Sequence, residues 1–213
     1  QELNSLFTMI AYHSGMEFSY EGLSKESGVK KETIRKYIQY LEVAFLIKVI
    51  TRTDDTAKRF QRQTTFKIYL TNPSLRCALF EPVKMIDGNV GDMIETAIYS
   101  QWIPRSEHIA YANWKIGRTQ GEVDLVGINE ALQKPYWAVE IKWSDRFFDK
   151  PAELSSLQYY MEKNHLLQAL VTSISQAGDK NMPFGNIHFI PCACYAYTVG
   201  QNTLRQAKRS FGL

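Results

Sequence analysis

Two short stretches hold the residues best suited to chemistry. Gly121-Glu122-Val123-Asp124-Leu125-Val126 carries two acids, and Ala138-Val139-Glu140-Ile141-Lys142-Trp143 carries Glu-x-Lys. Both read as strands, and strand side chains alternate faces. That alternation puts Glu122, Asp124 and Val126 on one face of the first strand, opposite Val123 and Leu125. On the second it groups Ala138, Glu140 and Lys142, opposite Trp137, Val139, Ile141 and Trp143. Apolar faces remain for a core, with three carboxylates and one ammonium on the other side. Neighbouring strands lie about 4.8 Å apart, so carboxylates facing the same way can share one hard cation. Mg2+ or Mn2+ fits such a pair, because hard cations take oxygen ligands and Mg2+ keeps several waters. The ion would polarise a phosphodiester and acidify a bound water. Lys142 would face the same pocket and either orient the attacking water or stabilise developing negative charge. The main-chain carbonyl of Ile141 is a further candidate ligand, and Glu122 a further carboxylate. Taken alone, the same residues also admit a plain cross-strand salt-bridge cluster on a solvated sheet face.

Apolar periodicity supplies the elements that must position this cluster. Leu3, Leu6, Phe7, Ile10 and Ala11 mark a first helix running to about His13. Tyr20–Glu26 reads as a second helix, stopped by Gly28. A third follows, with Ile34, Ile38, Leu41 and Phe45 as its apolar stripe. Strands at 47–51 and 65–70 flank a polar, basic loop. Three helices followed by a hairpin with a basic tip make a winged form of the helix-turn-helix, with the third helix as recognition helix. A short helix through about Phe80 comes next, and residues 81–88 make the best boundary, giving domains 1–82 and 83–213. The second domain opens on a helix from Asn89 to Trp102 that carries Glu95. That acid would reach the cluster if its helix packs beside the strands. Strands at 108–114, 122–128 and 136–143 then form a meander. A helix opened by Pro151 follows, then a strand at 166–172, a loop over 176–185 and a short strand at 187–190. The basic tail stays unassigned.

The net charge of +3 says less than its distribution. From Lys30 to Lys67 there are ten Lys and Arg against four acids, a balance that favours a polyanionic partner. Lys30, Lys31, Arg35, Lys36, Lys58, Arg59 and Arg62 are the candidate nucleic-acid contacts, with a solvated basic face as the plainer alternative. Lys115 and Arg118 flank the hairpin turn before Asp124 and could also meet phosphates. Cys77, Cys192 and Cys194 show no paired spacing, which argues against a disulfide framework and fits a reducing cytoplasm. No run is long and apolar enough to span a membrane. The chain begins at Gln1, already in helical pattern and without an initiator Met, which points to a fragment or a processed chain. The four histidines are scattered, no G-x-S-x-G occurs, and no Gly-rich dinucleotide fingerprint follows a strand.

Asp124, then Glu140-Ile141-Lys142, in a helix–three strands–helix–strand order with Glu95 on the first helix, resembles the PD-(D/E)XK nuclease superfamily. Val123 stands where that motif has Pro. The resemblance implies a restriction-endonuclease-like α-β-β-β-α-β domain and a divalent-metal phosphodiesterase. Lys142, Asp124, Glu140 and Glu95 would then be catalytic, and Asp124, Glu140, Glu95 and Ile141 would hold the metal. Adding Tyr20–Ser24, Thr33–Glu42, Phe45–Ile47 and Lys67–Leu70, nearly the whole chain is similar to the C-terminal half of a prokaryotic AAA-type ATPase family. In that family a winged helix and a nuclease-like domain of unknown function follow a P-loop module. DNA and an N-terminal ATPase domain of the same polypeptide are the implied partners. No G-x-x-x-x-G-K-[ST] is present, so no ATP site is expected in this chain. The fold class expected is α/β.

Overall fold

The computed structural model describes residues 1–58, 64–85, 87–104, 109–129 and 131–211. The chain is a mixed α/β protein that divides into two compact units, residues 1–51 with 62–103, and residues 52–61 with 104–213. This division differs from the expected boundary at 82/83 in two respects. Residues 52–61 fall in the second unit, and the helix carrying Glu95 belongs to the first unit.

The first unit contains α1 (Glu2–Tyr12), β1 (Glu17–Ser19), α2 (Tyr20–Ser27), α3 (Lys31–Val43), β2 (Ile47–Thr53, to Thr51 within this unit), β3 (Thr65–Leu70), α4 (Ser74–Leu79) and α5 (Val90–Trp102). Ser19 caps α2, its hydroxyl accepting the Gly22 N–H at 2.9 Å. Gly28 ends that helix in the left-handed conformation at φ 70°, which a residue without a Cβ reaches at no steric cost. β1, unforeseen at three residues, pairs antiparallel with β3, and β3 pairs with β2. Leu6, Ile10, Leu23, Ile34, Ile38, Leu41, Ile47, Phe66, Ile68 and Leu70 form the core. Phe45 is not on the stripe of α3. The helix stops at Val43, and Phe45 turns through φ 56° with its ring 77 % exposed.

The second unit contains β4 (Ile109–Ile116), β5 (Thr119–Asn129), β6 (Lys134–Glu140), α6 (Arg146–Asp149), a 3-10 turn (Pro151–Glu153), α7 (Ser155–Asn164), β7 (Gln168–Ser173), β8 (Gly178–Met182), β9 (Gly185–Pro191) and α8 (Cys192–Phe211). Its strands run β4-β5-β6-β7-β9-β8. β4, β5 and β6 form the expected antiparallel meander. β6 then pairs parallel with β7. A parallel pair needs a long crossover, and α6, the 3-10 turn and α7 supply it. The segment read as a loop over 176–185 instead holds β8, the hairpin partner of β9. The unassigned tail is α8, which buries Cys192, Tyr195 and Val199. Arg52 and Thr53, at the end of β2, fall within this unit and pair parallel with Tyr111 and Ala112. Asp55 is buried here too, accepting from the Tyr159 hydroxyl at 2.8 Å. What the sequence suggested as one side of a free basic wing tip is thus bound into the second unit as far as Lys58.

Two glycines let aromatic rings cross the meander. Gly121 faces Trp114 across β4–β5, and Gly127 faces Trp137 across β5–β6. At either glycine a Cβ would run into the indole opposite, so the ring covers the strand where a side chain would stand. Trp114 is also stacked on Tyr159 and Tyr160 of α7, at 5.3 and 6.0 Å, which holds its ring in place. Gly121→Ala is therefore expected to lower unfolding stability by about 1–3 kcal/mol, as overpacking does. Urea denaturation measures it, and an unchanged midpoint would show that the indole yields freely.

Candidate active site

Asp124 lies mid-strand on β5, and the strand is irregular there. Ala110 pairs with Val126 but Ala112 pairs with Val123. Two steps along β4 thus match three along β5, so an extra residue is inserted between Val123 and Val126. Such a bulge re-aims side chains and recurs beside active sites. It also breaks the simple alternation. Val126 does not share a face with Asp124 as expected; it joins Val123 in the core cluster with Ala138, Leu157 and Val171.

Glu140 is the last residue of β6, so the strand ends three residues earlier than expected. The next two residues are held from outside the strand. The Ile141 N–H donates to Asp124 Oδ2 at 2.7 Å. The Lys142 N–H donates to Thr172 Oγ1 at 2.8 Å, and the Thr172 hydroxyl donates to the Lys142 carbonyl at 3.1 Å. The Cys192 thiol donates to the same carbonyl at 3.4 Å. Thr172 and Cys192 escaped the sequence reading because no catalytic motif includes them. Their only signal was a position at the end of β7 and at the start of α8.

Asp124, Glu140, Ile141 and Lys142 are brought together as the sequence suggested. Lys142 Nζ stands 2.7 Å from Glu140 Oε1 and 3.7 Å from Asp124 Oδ2. The cluster is not on a solvated sheet face, since Asp124 and Glu140 are each only 7 % exposed. Glu140 Oε2 is buried and lacks a hydrogen-bond partner among the described residues. A buried carboxylate oxygen left unpaired costs on the order of 1–3 kcal/mol, and such an atom in a folded protein points to a missing water or ion. Burial pushes the Glu140 carboxyl up to about 8, and the Asp124 charge adds to this while Lys142 opposes it. Glu122, whose charge also acts on Glu140, accepts the Asn113 amide at 2.7 Å. Among the described residues no three His, Cys, Asp or Glu side chains converge as a metal-holding group. Two carboxylates remain, the number Mg2+ commonly takes from a protein.

The other predicted residues divide differently. Glu95 lies on α5 in the first unit, where it accepts from the Tyr69 hydroxyl at 2.5 Å and pairs with Lys67 at 3.3 Å. Lys67 is itself buried, and so adds nothing to a surface patch. On α3 the basic residues are partly neutralised. Lys31 pairs with Glu21, and Arg35 stands 3.9 Å from Glu32 and 4.6 Å above the Tyr20 ring. Lys30, Lys36 and Lys58 are exposed. Arg59 and Arg62 lie outside the described residues.

A family model described as a domain of unknown function, DUF8612, matches residues 1–85. That match takes in α1 to α4 and stops short of Asp124 and Glu140. No curated protein and no solved structure matches the chain. Among the described residues no helix is long and apolar enough to cross a membrane.

The Glu140 shift has a definite consequence for stability. Unfolded, the carboxyl titrates near 4.5, and folded near 8. Below the lower value it is protonated in both states. As pH rises between them the unfolded chain gives up the proton that the folded one keeps, so stability falls with rising pH and levels off above the upper value. In EDTA, the melting temperature of the wild type is expected to drop from pH 5 to pH 8 relative to Glu140→Gln. Parallel profiles for the two proteins would show that Glu140 ionises normally.

Proposed function

We propose that the second unit carries a metal-dependent phosphodiesterase centre of nuclease type, acting on DNA. The observation that carries this reading is the unpaired, buried Oε2 of Glu140 beside Asp124. Asp124 and Glu140 would hold Mg2+ or Mn2+, with the Ile141 carbonyl as a further ligand. Once bound, the ion would polarise the scissile phosphate and acidify a water. Everything else falls to the chain itself. The Ile141 N–H fixes the Asp124 carboxylate, and Thr172 and Cys192 fix the backbone from which Lys142 projects. A lysine so anchored can orient the attacking water or stabilise charge that develops on phosphate oxygens. The order α1-β1-α2-α3-β2-β3 goes with a winged helix, and exposed Lys30, Lys36 and Lys58 go with a phosphate backbone as partner. A cytoplasmic setting belongs to the same reading.

A second reading is favoured by the Lys142 bridge. The ammonium already stands between the two carboxylates, as it would in a nuclease-like module that has lost turnover. Such a module would dock DNA or protein for an N-terminal ATPase domain of the same polypeptide.

Calorimetric titration with Mn2+ and a plasmid-nicking assay separate the two. The wild type is expected to bind Mn2+ near neutral pH with release of close to one proton, because the ion displaces the one that Glu140 retains. Asp124→Ala should weaken Mn2+ binding at least about tenfold. Lys142→Ala should keep the ion and lose cleavage by about 10²–10³-fold, the usual cost of removing one transition-state charge stabiliser. Cleavage that survives both substitutions contradicts this centre, and no Mn2+ binding at all favours the docking module.

A further inference from the structure

The β4–β5 hairpin and the end of β2 enclose a second feature that the cluster does not use. It is a cavity of about 550 Å3 lined by Arg52, Asn113, Trp114, Lys115, Gln120, Gly121 and Glu122. All seven residues belong to the second unit. The size lies in the range of small-molecule pockets, roughly 300–1,000 Å3, with room for a nucleotide but not for a duplex. Its chemistry is mostly that of donors. Arg52 is held along β4 by its Nε, which donates to the Asn113 carbonyl at 3.0 Å. Lys115 and Gln120 project from the exposed end of the hairpin. The one acid, Glu122, already accepts from the Asn113 side-chain amide. Arg52 and Lys115 against Glu122 give the lining an excess of one positive charge, which suits an anion with several oxygens.

Glu122 also relates the cavity to the cluster. It is two residues from Asp124 on the same strand. A strand lying over Asp124 and Glu140 would pass this cavity with its next residue.

The geometry points to this cavity as the seat of one nucleotide of a nucleic-acid strand, its phosphate against Arg52 and Lys115, beside the Asp124–Glu140 cluster. This rests on the nuclease-type reading and adds to it the piece of substrate that the protein grips next to the bond. The seat holds an unpaired nucleotide, so it favours a single strand or a frayed end over continuous duplex.

The test is binding in EDTA, which removes cleavage from the measurement. The probe is a fluorescein-labelled single-stranded DNA of twelve nucleotides, followed by anisotropy and competed with a blunt duplex of the same sequence or with free dAMP. Lys115→Glu is expected to weaken binding about tenfold, and Lys115→Ala combined with Gln120→Ala about three- to fivefold. Lys115→Ala should also reduce the salt slope by about 0.7, the value for one phosphate contact on a single strand. Unfolding midpoints of these exposed-site variants should stay at the wild-type value. Binding is read without metal and without turnover, so a failure of the catalytic reading shows in nicking alone and leaves this measurement untouched. Wild-type affinity and salt slope in the Lys115 variants would overturn the proposal, as would a wild type that binds no single strand. A duplex competing better than the single strand overturns it, and so does dAMP competing at micromolar concentration, which would make this a free-nucleotide pocket.

Discussion

One ammonium stands against two buried carboxylates, and much of the second unit is arranged around that imbalance. Lys142 reaches Glu140 at 2.7 Å and Asp124 at 3.7 Å, yet a single positive charge balances only one of them. Taking a carboxylate out of water is expensive unless it is paired and fully hydrogen-bonded. Asp124 meets that demand with the Ile141 N–H. Glu140 meets it on one oxygen only. Burial, with the Asp124 charge beside it, raises the Glu140 carboxyl well above the usual carboxylate range and so favours its protonated form. A divalent cation, held there as proposed, would satisfy both carboxylates and take the place of that proton.

The backbone around the cluster is built to hold this state. The bulge in β5 separates Asp124 from the alternation of its neighbours, sending Val123 and Val126 into the core. The end of β6 frees Ile141 and Lys142 from ladder pairing with β5. Thr172 on β7 then captures both backbone groups of Lys142, and Cys192 adds a second donor to its carbonyl. A little further on, Asp145 gathers the N–H groups of Ile174, Ser175 and Gln176 and the Ser175 hydroxyl, which holds its carboxyl below the usual range. The segment leaving the site is thereby tied to the loop after β7. The lysine is thus positioned by contacts on its own backbone, independently of the carboxylates that it bridges.

The α/β class, the meander and the pairing of Asp124 with Glu140 and Lys142 were legible because they rest on strong local signals. Alternation, turn residues and Pro151 each act within a few positions. What escaped depends on distant partners. β1 is only three residues long and exists by pairing with β3, nearly fifty residues later. α8 buries Cys192, Tyr195 and Val199 at helical spacing, but Gly200 and a run of polar residues blur that stripe in the sequence. Phe45 reads as one more residue of the α3 stripe, whereas the chain turns left-handed there and exposes it. The β5 bulge is invisible in residue types, since an inserted residue leaves the apolar count unchanged and alters only the direction in which Val126 points. Lys31 and Arg35 counted as free charge in the sequence; Lys31 is neutralised by Glu21 only once α2 and α3 pack together, whereas Arg35 stands near Glu32 one turn away on α3 itself.

The central claim is that Glu140 Oε2 lacks a partner because the site is made for a cation. Anomalous diffraction from a crystal soaked in Mn2+ tests it most directly. The expected result is a manganese peak within ligating distance of both Asp124 and Glu140, with the Lys142 ammonium withdrawn from Glu140. No peak there, with Lys142 still bridging the two carboxylates, would contradict it.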